Sequence, residues 1–133
     1  MLRGLTTISY YADDVVEARD WYAKVLGVPA YFARPEEGTP SYVEFRVGDF
    51  EHELGIVDRK FAPHDTAGGP ITYWAVDDLD ASLERLVALG ATPHRPPTAY
   101  GPGFVTASVV DPFGNVLGLM YNEHYLSIAS AKA

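Results

Sequence analysis

Four histidines, eighteen acids and no cysteine set the chemistry open to this 133-residue chain. Without cysteine there is no thiolate nucleophile, no disulfide, no Cys-ligated zinc and no iron–sulfur cluster. The densest group of ligand-type side chains is Glu51-His52-Glu53. On a strand, alternation sends His52 to one face and both glutamates to the other, so the three do not converge on one ion. The other histidines are expected in solvated loops: His64 in a connector, His94 beside Pro93 and Pro96, and His124 in the C-terminal tail. The sequence has no nucleophile elbow, no Walker-type phosphate loop and no dinucleotide-binding glycine pattern. Acid–base chemistry by Glu53 with a nearby tyrosine stays open on residue type alone.

Charge narrows the partners. The formal net charge is −8, from 18 acids against 10 bases. That balance opposes nucleic acid, whose phosphates need a basic face, and opposes an anionic membrane surface. With 47% apolar and 13% aromatic residues the chain can build a core. The N-terminus lacks the apolar region of a signal peptide, and no apolar run is long enough to span a bilayer. A cytoplasmic, single-domain protein is expected.

The elements that position these side chains repeat. Residues 9–29 (SYYADDVVEARDWYAKVLGVP) align with 72–93 (TYWAVDDLDASLERLVALGATP), and 48–57 (GDFEHELGIV) with 111–120 (DPFGNVLGLM). A shared offset at both ends of the unit makes the repeat real. Each unit opens on a strand, Thr6–Ala12 or Ile71–Val76, and meets a double aspartate. An apolar pattern of helical period follows: Val15, Ala18, Tyr22, Val25 and Leu26, then Leu79, Leu83, Leu86 and Leu89. Asp14 with Glu17 reads as a capping box, and Gly27 and Gly90 as helix-ending residues. Three short strands follow in each unit; in the second they are expected at 92–96, 103–110 and 116–121, the last two joined by the turn DPFGN. The predicted fold class is α+β, two βαβββ modules in tandem within one domain spanning residues 1–133. Module one covers 4–58, a linker 59–69, module two 70–122 and a tail 123–133.

The duplicated order, the helix starts DVVEA and DLDA, the helix ends VLG and ALG, and the DPFGN turn resemble the vicinal oxygen chelate superfamily. That superfamily includes glyoxalase I, extradiol dioxygenases, fosfomycin-resistance enzymes and bleomycin-resistance proteins. The resemblance covers roughly residues 4–122. It implies curled mixed sheets, each half of a cup whose concave face holds the site. In the enzymatic branches it also implies a divalent metal held by one residue on the first and last strand of each module. Those positions fall here on Thr7, Gly55, Ile71 and Gly118. Threonine is a weak ligand, and isoleucine and glycine offer no ligand atom, so no metal and no other cofactor is expected. Shifting the register by one or two residues adds only Glu53.

Strand parity then gives the residues facing the cup: Ser9, Tyr11, Tyr42, Glu44, Arg46, Glu53 and Val57 in module one, and Tyr73, Ala75, Phe104, Thr106, Ser108, Val116 and Met120 in module two. Tyr11, Tyr42, Glu44, Arg46, Glu53, Tyr73, Phe104 and Met120 form the candidate binding set. Its aromatic, mixed-charge character suits a planar or cationic small molecule. The plainer account is that tyrosines line half-buried strands for packing and Glu44 with Arg46 form a solvated pair. Trp21, Tyr22 and Trp74 are expected in the core. The missing ligands and the acidic, Tyr-rich composition favour a metal-free binding protein, similar to bleomycin-resistance members, and the resemblance implies a homodimer in which half-cups from two chains complete each site. The alternative is a lyase, isomerase or dioxygenase with a metal arrangement not visible in the sequence, or with Glu/Tyr acid–base chemistry.

Overall fold

The computed structural model describes residues 1, 5–62 and 71–132. Its elements run β1 (Thr7–Ala12), α1 (Val15–Leu26), β2 (Phe32–Arg34), β3 (Tyr42–Val47), β4 (His52–Asp58), a 3-10 turn (Arg59–Phe61), β5 (Thr72–Ala75), α2 (Leu79–Ala88), β6 (Thr92–Gly101), β7 (Phe104–Val110), β8 (Val116–Asn122) and α3 (Glu123–Lys132). The chain divides into two compact units, residues 1–68 and 69–133. Each holds one βαβββ module with its own four-stranded mixed sheet, ordered β1-β4-β3-β2 and β5-β8-β7-β6. The α+β class and the duplicated element order are those expected from the repeat. His64 lies outside the described residues, as do most of the expected linker residues.

In module one, α1 begins where Asp14 Oδ1 accepts the Glu17 amide at 3.0 Å. This satisfies one of the amides that a helix N-terminus leaves free. The helix ends at Gly27, whose φ of 72° a residue with a Cβ adopts only at a cost. Val15, Ala18, Trp21 and Tyr22 form its buried face. They pack on Val43 and Phe45 of β3 and Leu54 and Ile56 of β4, none of which is more than 1% exposed. A fully buried side chain of this size contributes about 1.5–3 kcal/mol of transfer free energy, so this layer fixes which face of the sheet carries the helix. β1 joins β4 in parallel, while β4–β3 and β3–β2 are antiparallel.

Module two repeats this plan. Asp78 Oδ1 caps α2 by accepting the Ala81 amide at 3.0 Å. The helix closes with Gly90 N–H donating to Val87 and Ala91 N–H to Leu86, the paired bonds of a Schellman ending. Leu79 and Leu86 are buried against Ala107 and Val109 of β7 and Leu117 and Leu119 of β8. The DPFGN turn is built on Asp111, 3% exposed. Its carboxylate accepts from the amides of Phe113 at 2.9 Å and Asn115 at 2.8 Å and from the Asn115 side chain at 2.8 Å. Three donors on one buried carboxylate explain why an acid sits inside a hairpin turn.

Several sequence-based expectations change. β6 runs ten residues, Thr92–Gly101, rather than ending near 96, with register irregularities between Pro93 and Arg95, Arg95 and Thr98, and Ala99 and Gly101. It is an edge strand, where prolines without an amide donor are tolerated at bulges. His94 is therefore on a strand, not in a loop, and its Nδ1 is 2.8 Å from the hydroxyl of Ser108. Glu51 is not in β4 but in the preceding turn, with φ 52°, so alternation separates His52 only from Glu53. Ile71 precedes β5 instead of lying within it. Trp74 is half-buried rather than core. The tail forms α3 and carries His124, its first amide donating to the Gly103 carbonyl at 3.1 Å.

Candidate functional site

The face of the module-one sheet turned away from α1 carries the polar residues. Register sets the rows: Thr7 opposes Glu53 and Glu53 opposes Arg46; Ser9 opposes Gly55, Gly55 opposes Glu44 and Glu44 opposes Phe32; Tyr11 opposes Val57, Val57 opposes Tyr42 and Tyr42 opposes Arg34. Residues opposite each other across a ladder point to the same side. Five candidates named from the sequence, Tyr11, Tyr42, Glu44, Arg46 and Glu53, therefore share one face. Alternation sends their neighbours Val43, Phe45, Leu54 and Ile56 into the helix-covered core.

The first row is an ion pair with an added donor. Glu53 Oε2 accepts from the Thr7 hydroxyl at 2.6 Å, and Oε1 accepts from Arg46 Nη1 at 2.8 Å. Their side chains are 46% exposed for Arg46 and 29% for Glu53, so the pair is partly solvated and adds little to stability. The Thr7 hydrogen bond, aided by Arg46, holds the Glu53 carboxyl below the ordinary glutamate value against the opposing effect of burial.

The second and third rows are aromatic and acidic. The Tyr42 hydroxyl donates to Glu44 Oε1. Burial, then the negative charge of Glu53, pushes the Glu44 carboxyl up, with Arg46 acting the other way. Burial and the Glu53 charge also raise the Tyr42 phenol. The two glutamates are thus shifted in opposite directions, Glu53 down chiefly by its Thr7 hydrogen bond with Arg46 adding to it, and Glu44 up chiefly by burial.

Two rings absent from the sequence-based set complete the cluster. Phe32 meets Tyr42 edge-on at 6.2 Å, and Tyr31 lies 6.4 Å from Phe32. Arg46 stands over the Tyr31 ring at 4.7 Å and Arg34 over Phe32 at 5.5 Å. Cations stacked on ring faces at these distances are favourable. The signal for these residues was the run Tyr31-Phe32-Ala33-Arg34 before Pro35. Only Phe32–Arg34 of that run is a strand, too short for alternation to stand out beside longer neighbours.

In module two, Tyr73 opposes Gly118 and Gly118 opposes Ser108, while Ala75 opposes Met120, Met120 opposes Thr106 and Asn122 opposes Phe104. Tyr73, Phe104 and Met120 thus share the face turned away from α2. Phe104 contacts Tyr100 edge-on at 6.3 Å, and Asn122 Nδ2 donates to the Met120 sulfur at 3.3 Å. A separate cleft of about 400 Å³ lies at the start of α2, lined by Asp77, Asp78, Asp80, Pro97, Val105 and Tyr121. It contains no residue of the candidate set, and Asp78 is already engaged as the helix cap.

The positions of the resemblance-implied metal ligands do not fit a metal. Thr7 is bonded to Glu53, and Ile71 has a hydrocarbon side chain. At Gly55 an added Cβ would stand 2.8 Å from Cε1 and the hydroxyl oxygen of Tyr42. At Gly118 it would stand 2.6 Å from the Thr72 carbonyl oxygen and 2.6 Å from Tyr73 Cδ1. A tyrosine ring thus covers the last-strand position in each module. Among the described residues no three His, Asp or Glu side chains gather as a ligand group.

Comparison with known proteins agrees with this architecture. The family model described as the Glyoxalase/Bleomycin resistance protein/Dioxygenase superfamily matches residues 4–119. A superfamily member from Sphaerobacter thermophilus superposes with a TM-score of 0.70 at 19% identity, covering 90% of this chain and 97% of that one. A lactoylglutathione lyase from Agrobacterium tumefaciens gives 0.69 at 20% identity, covering 94% and 98%. A glyoxalase/bleomycin resistance protein from Catenulispora acidiphila gives 0.60 at 24% identity, covering 88% and 97%. At these identities the likeness is one of fold. No curated protein matches. Among the described residues no helix is long and apolar enough to cross a membrane.

Proposed function

The chain belongs to the glyoxalase/bleomycin resistance protein/dioxygenase superfamily, and on that premise we propose that it is a metal-free binding protein for an aromatic or cationic small molecule. One observation carries the reading: Tyr42 covers Gly55 and Tyr73 covers Gly118, so rings stand where the family's last-strand ligands belong. A ligand side chain at either glycine would collide with its ring. In module one the Tyr42 ring, with Phe32 and Tyr31 beside Glu44, forms a surface suited to stacking and to a positive charge. In the same proposal each module offers its own ligand-binding face, Tyr11, Tyr42, Glu44, Arg46 and Glu53 in module one and Tyr73, Phe104 and Met120 in module two. The protein works as a cytoplasmic homodimer with no nucleic-acid or membrane partner.

Thermal unfolding with aromatic cations, neutral aromatics, and zinc, manganese, nickel or iron tests the proposal. Binding to the folded state at about 100 times Kd adds roughly 2.7 kcal/mol. An aromatic ligand is expected to raise Tm and to be recovered unchanged. A metal-dependent rise matched by bound metal in native mass spectrometry would overturn it.

A second reading has one observation in its favour. The Tyr42 hydroxyl donates to Glu44, whose carboxyl is held above its ordinary value, and a carboxylate tuned upward is a better proton acceptor near neutrality. Under that reading a lyase or isomerase step uses this pair, and turnover of a bound ligand, lost in Glu44→Gln, distinguishes it from binding alone.

A further inference from the structure

We infer that Glu44, and not Glu53, is the charge that selects the ligand on the module-one face, so that this face takes one positive charge adjoining an aromatic ring. The inference rests on the binding reading above and specifies its ligand class. Two carboxylates stand on the face, and only one is available. Both oxygens of Glu53 are engaged, by Thr7 at 2.6 Å and by Arg46 at 2.8 Å, and the guanidinium offsets its charge. Arg46 also stands over the Tyr31 ring at 4.7 Å. Glu44 receives the Tyr42 hydroxyl on Oε1, a neutral donor that leaves the charge in place. Among the described residues Glu44 makes no ion pair, and no hydrogen bond reaches its Oε2.

The surroundings of Glu44 define what fits. Phe32 opposes it in the ladder and Tyr42 stands edge-on to Phe32 at 6.2 Å, so the carboxylate is bordered by two rings. A cation whose charge is spread into an aromatic ring meets the carboxylate and the rings together. A second positive charge is disfavoured. Arg34 on β2 and Arg46 on β3 share the face, and both already occupy ring faces, those of Phe32 and Tyr31.

The test compares two probes of one shape by calorimetry under alkaline conditions: 1-methylquinolinium, a permanent cation, and 4-methylquinoline, neutral there. The wild-type protein is expected to prefer the cation by about tenfold, the size of one charge-assisted contact on a partly solvated face. In Glu44→Gln, whose amide oxygen still accepts from Tyr42, the two probes are expected to bind alike. A second measurement needs no variant. The groups on this face around Glu44 are Tyr42 and Arg46 on its own strand, Glu53 on β4, Thr7 on β1 and Arg34 on β2. If Glu44 is the counter-charge, the wild-type affinity for 1-methylquinolinium fades as pH falls through a range above the ordinary glutamate value. If Glu53 is, the affinity persists to below that value. Equal binding of both probes by the wild type, or a preference kept in Glu44→Gln, overturns the inference and leaves the binding reading standing. Binding of neither probe overturns the binding reading itself.

Discussion

The phenol ring of Tyr42 lies on Gly55: a Cβ built at Gly55 would stand 2.8 Å from both Cε1 and the hydroxyl oxygen of Tyr42. The ring keeps this place because its hydroxyl is tied to Glu44, the residue opposite Gly55 in the β3–β4 ladder. One missing side chain thus sets where the aromatic surface of module one stands.

Gly55→Ala is expected to push the ring off Gly55 and to cost about 1–3 kcal/mol, the usual range for overpacking. In a Tyr42→Ala background the same substitution has an open space to fill and costs little. A double-mutant cycle by denaturant unfolding measures the coupling. Additive costs would show that Tyr42 and Gly55 do not depend on each other.

Gly118 makes the contrasting case. Its added Cβ would meet not only Tyr73 Cδ1 but the Thr72 carbonyl oxygen, at 2.6 Å, and backbone cannot swing aside as a ring can. Gly118→Ala is therefore expected to destabilise more than Gly55→Ala, and Tyr73→Ala is not expected to rescue it. Full rescue would place the conflict in the ring alone.

The two glutamates of module one predict opposite pH effects. Glu53 is depressed below 4.5 in the folded state, so the stability it contributes is present above 4.5 and is lost as pH falls through its lower folded value. Glu44 is raised above 4.5, so its ionisation opposes folding, and that cost grows as pH climbs from 4.5 through its higher folded value. Carboxyl-carbon NMR titration is expected to place the Glu44 midpoint above that of Glu53. Thr7→Val removes the largest cause of the Glu53 shift and should raise its midpoint. Glu53→Gln removes a charge that raises Glu44 and should lower the Glu44 midpoint. An unchanged Glu53 midpoint in Thr7→Val would remove the Thr7 hydrogen bond as the cause.

In the turn before β8 one side chain, Asp111, accepts three hydrogen bonds. Asp111→Ala removes the acceptor that the amides of Phe113 and Asn115 share, at an expected cost of about 1–3 kcal/mol. Asp111→Asn retains one acceptor oxygen and should recover part of it. Chemical denaturation of the three proteins ranks them, and equal stability for Ala and Asn would refute the hydrogen-bond account.

Local patterns in the sequence determined the duplicated βαβββ order, the cap at Asp14, and the faces of the long strands. Each depends on nearest neighbours: a side chain reaching an amide three residues on, or alternation of period two. Prolines within β6 look like breakers to local pattern, yet an edge strand without a partner on one side accommodates them. The same prolines make His94 read as a loop residue, and its Ser108 partner is fourteen residues away in the chain. Tyr31 and Phe32 carry no alternation signal, because the strand holding Phe32 is only three residues long. The sequence alone determined that Glu44 and Glu53 share a face. Only tertiary structure decided that Glu53 is satisfied by Thr7, 46 residues away, and by Arg46, while Glu44 keeps its charge. Strand pairing brings such groups together over distances that local pattern does not encode, and the packing of Tyr42 against a bare backbone at Gly55 follows from that pairing.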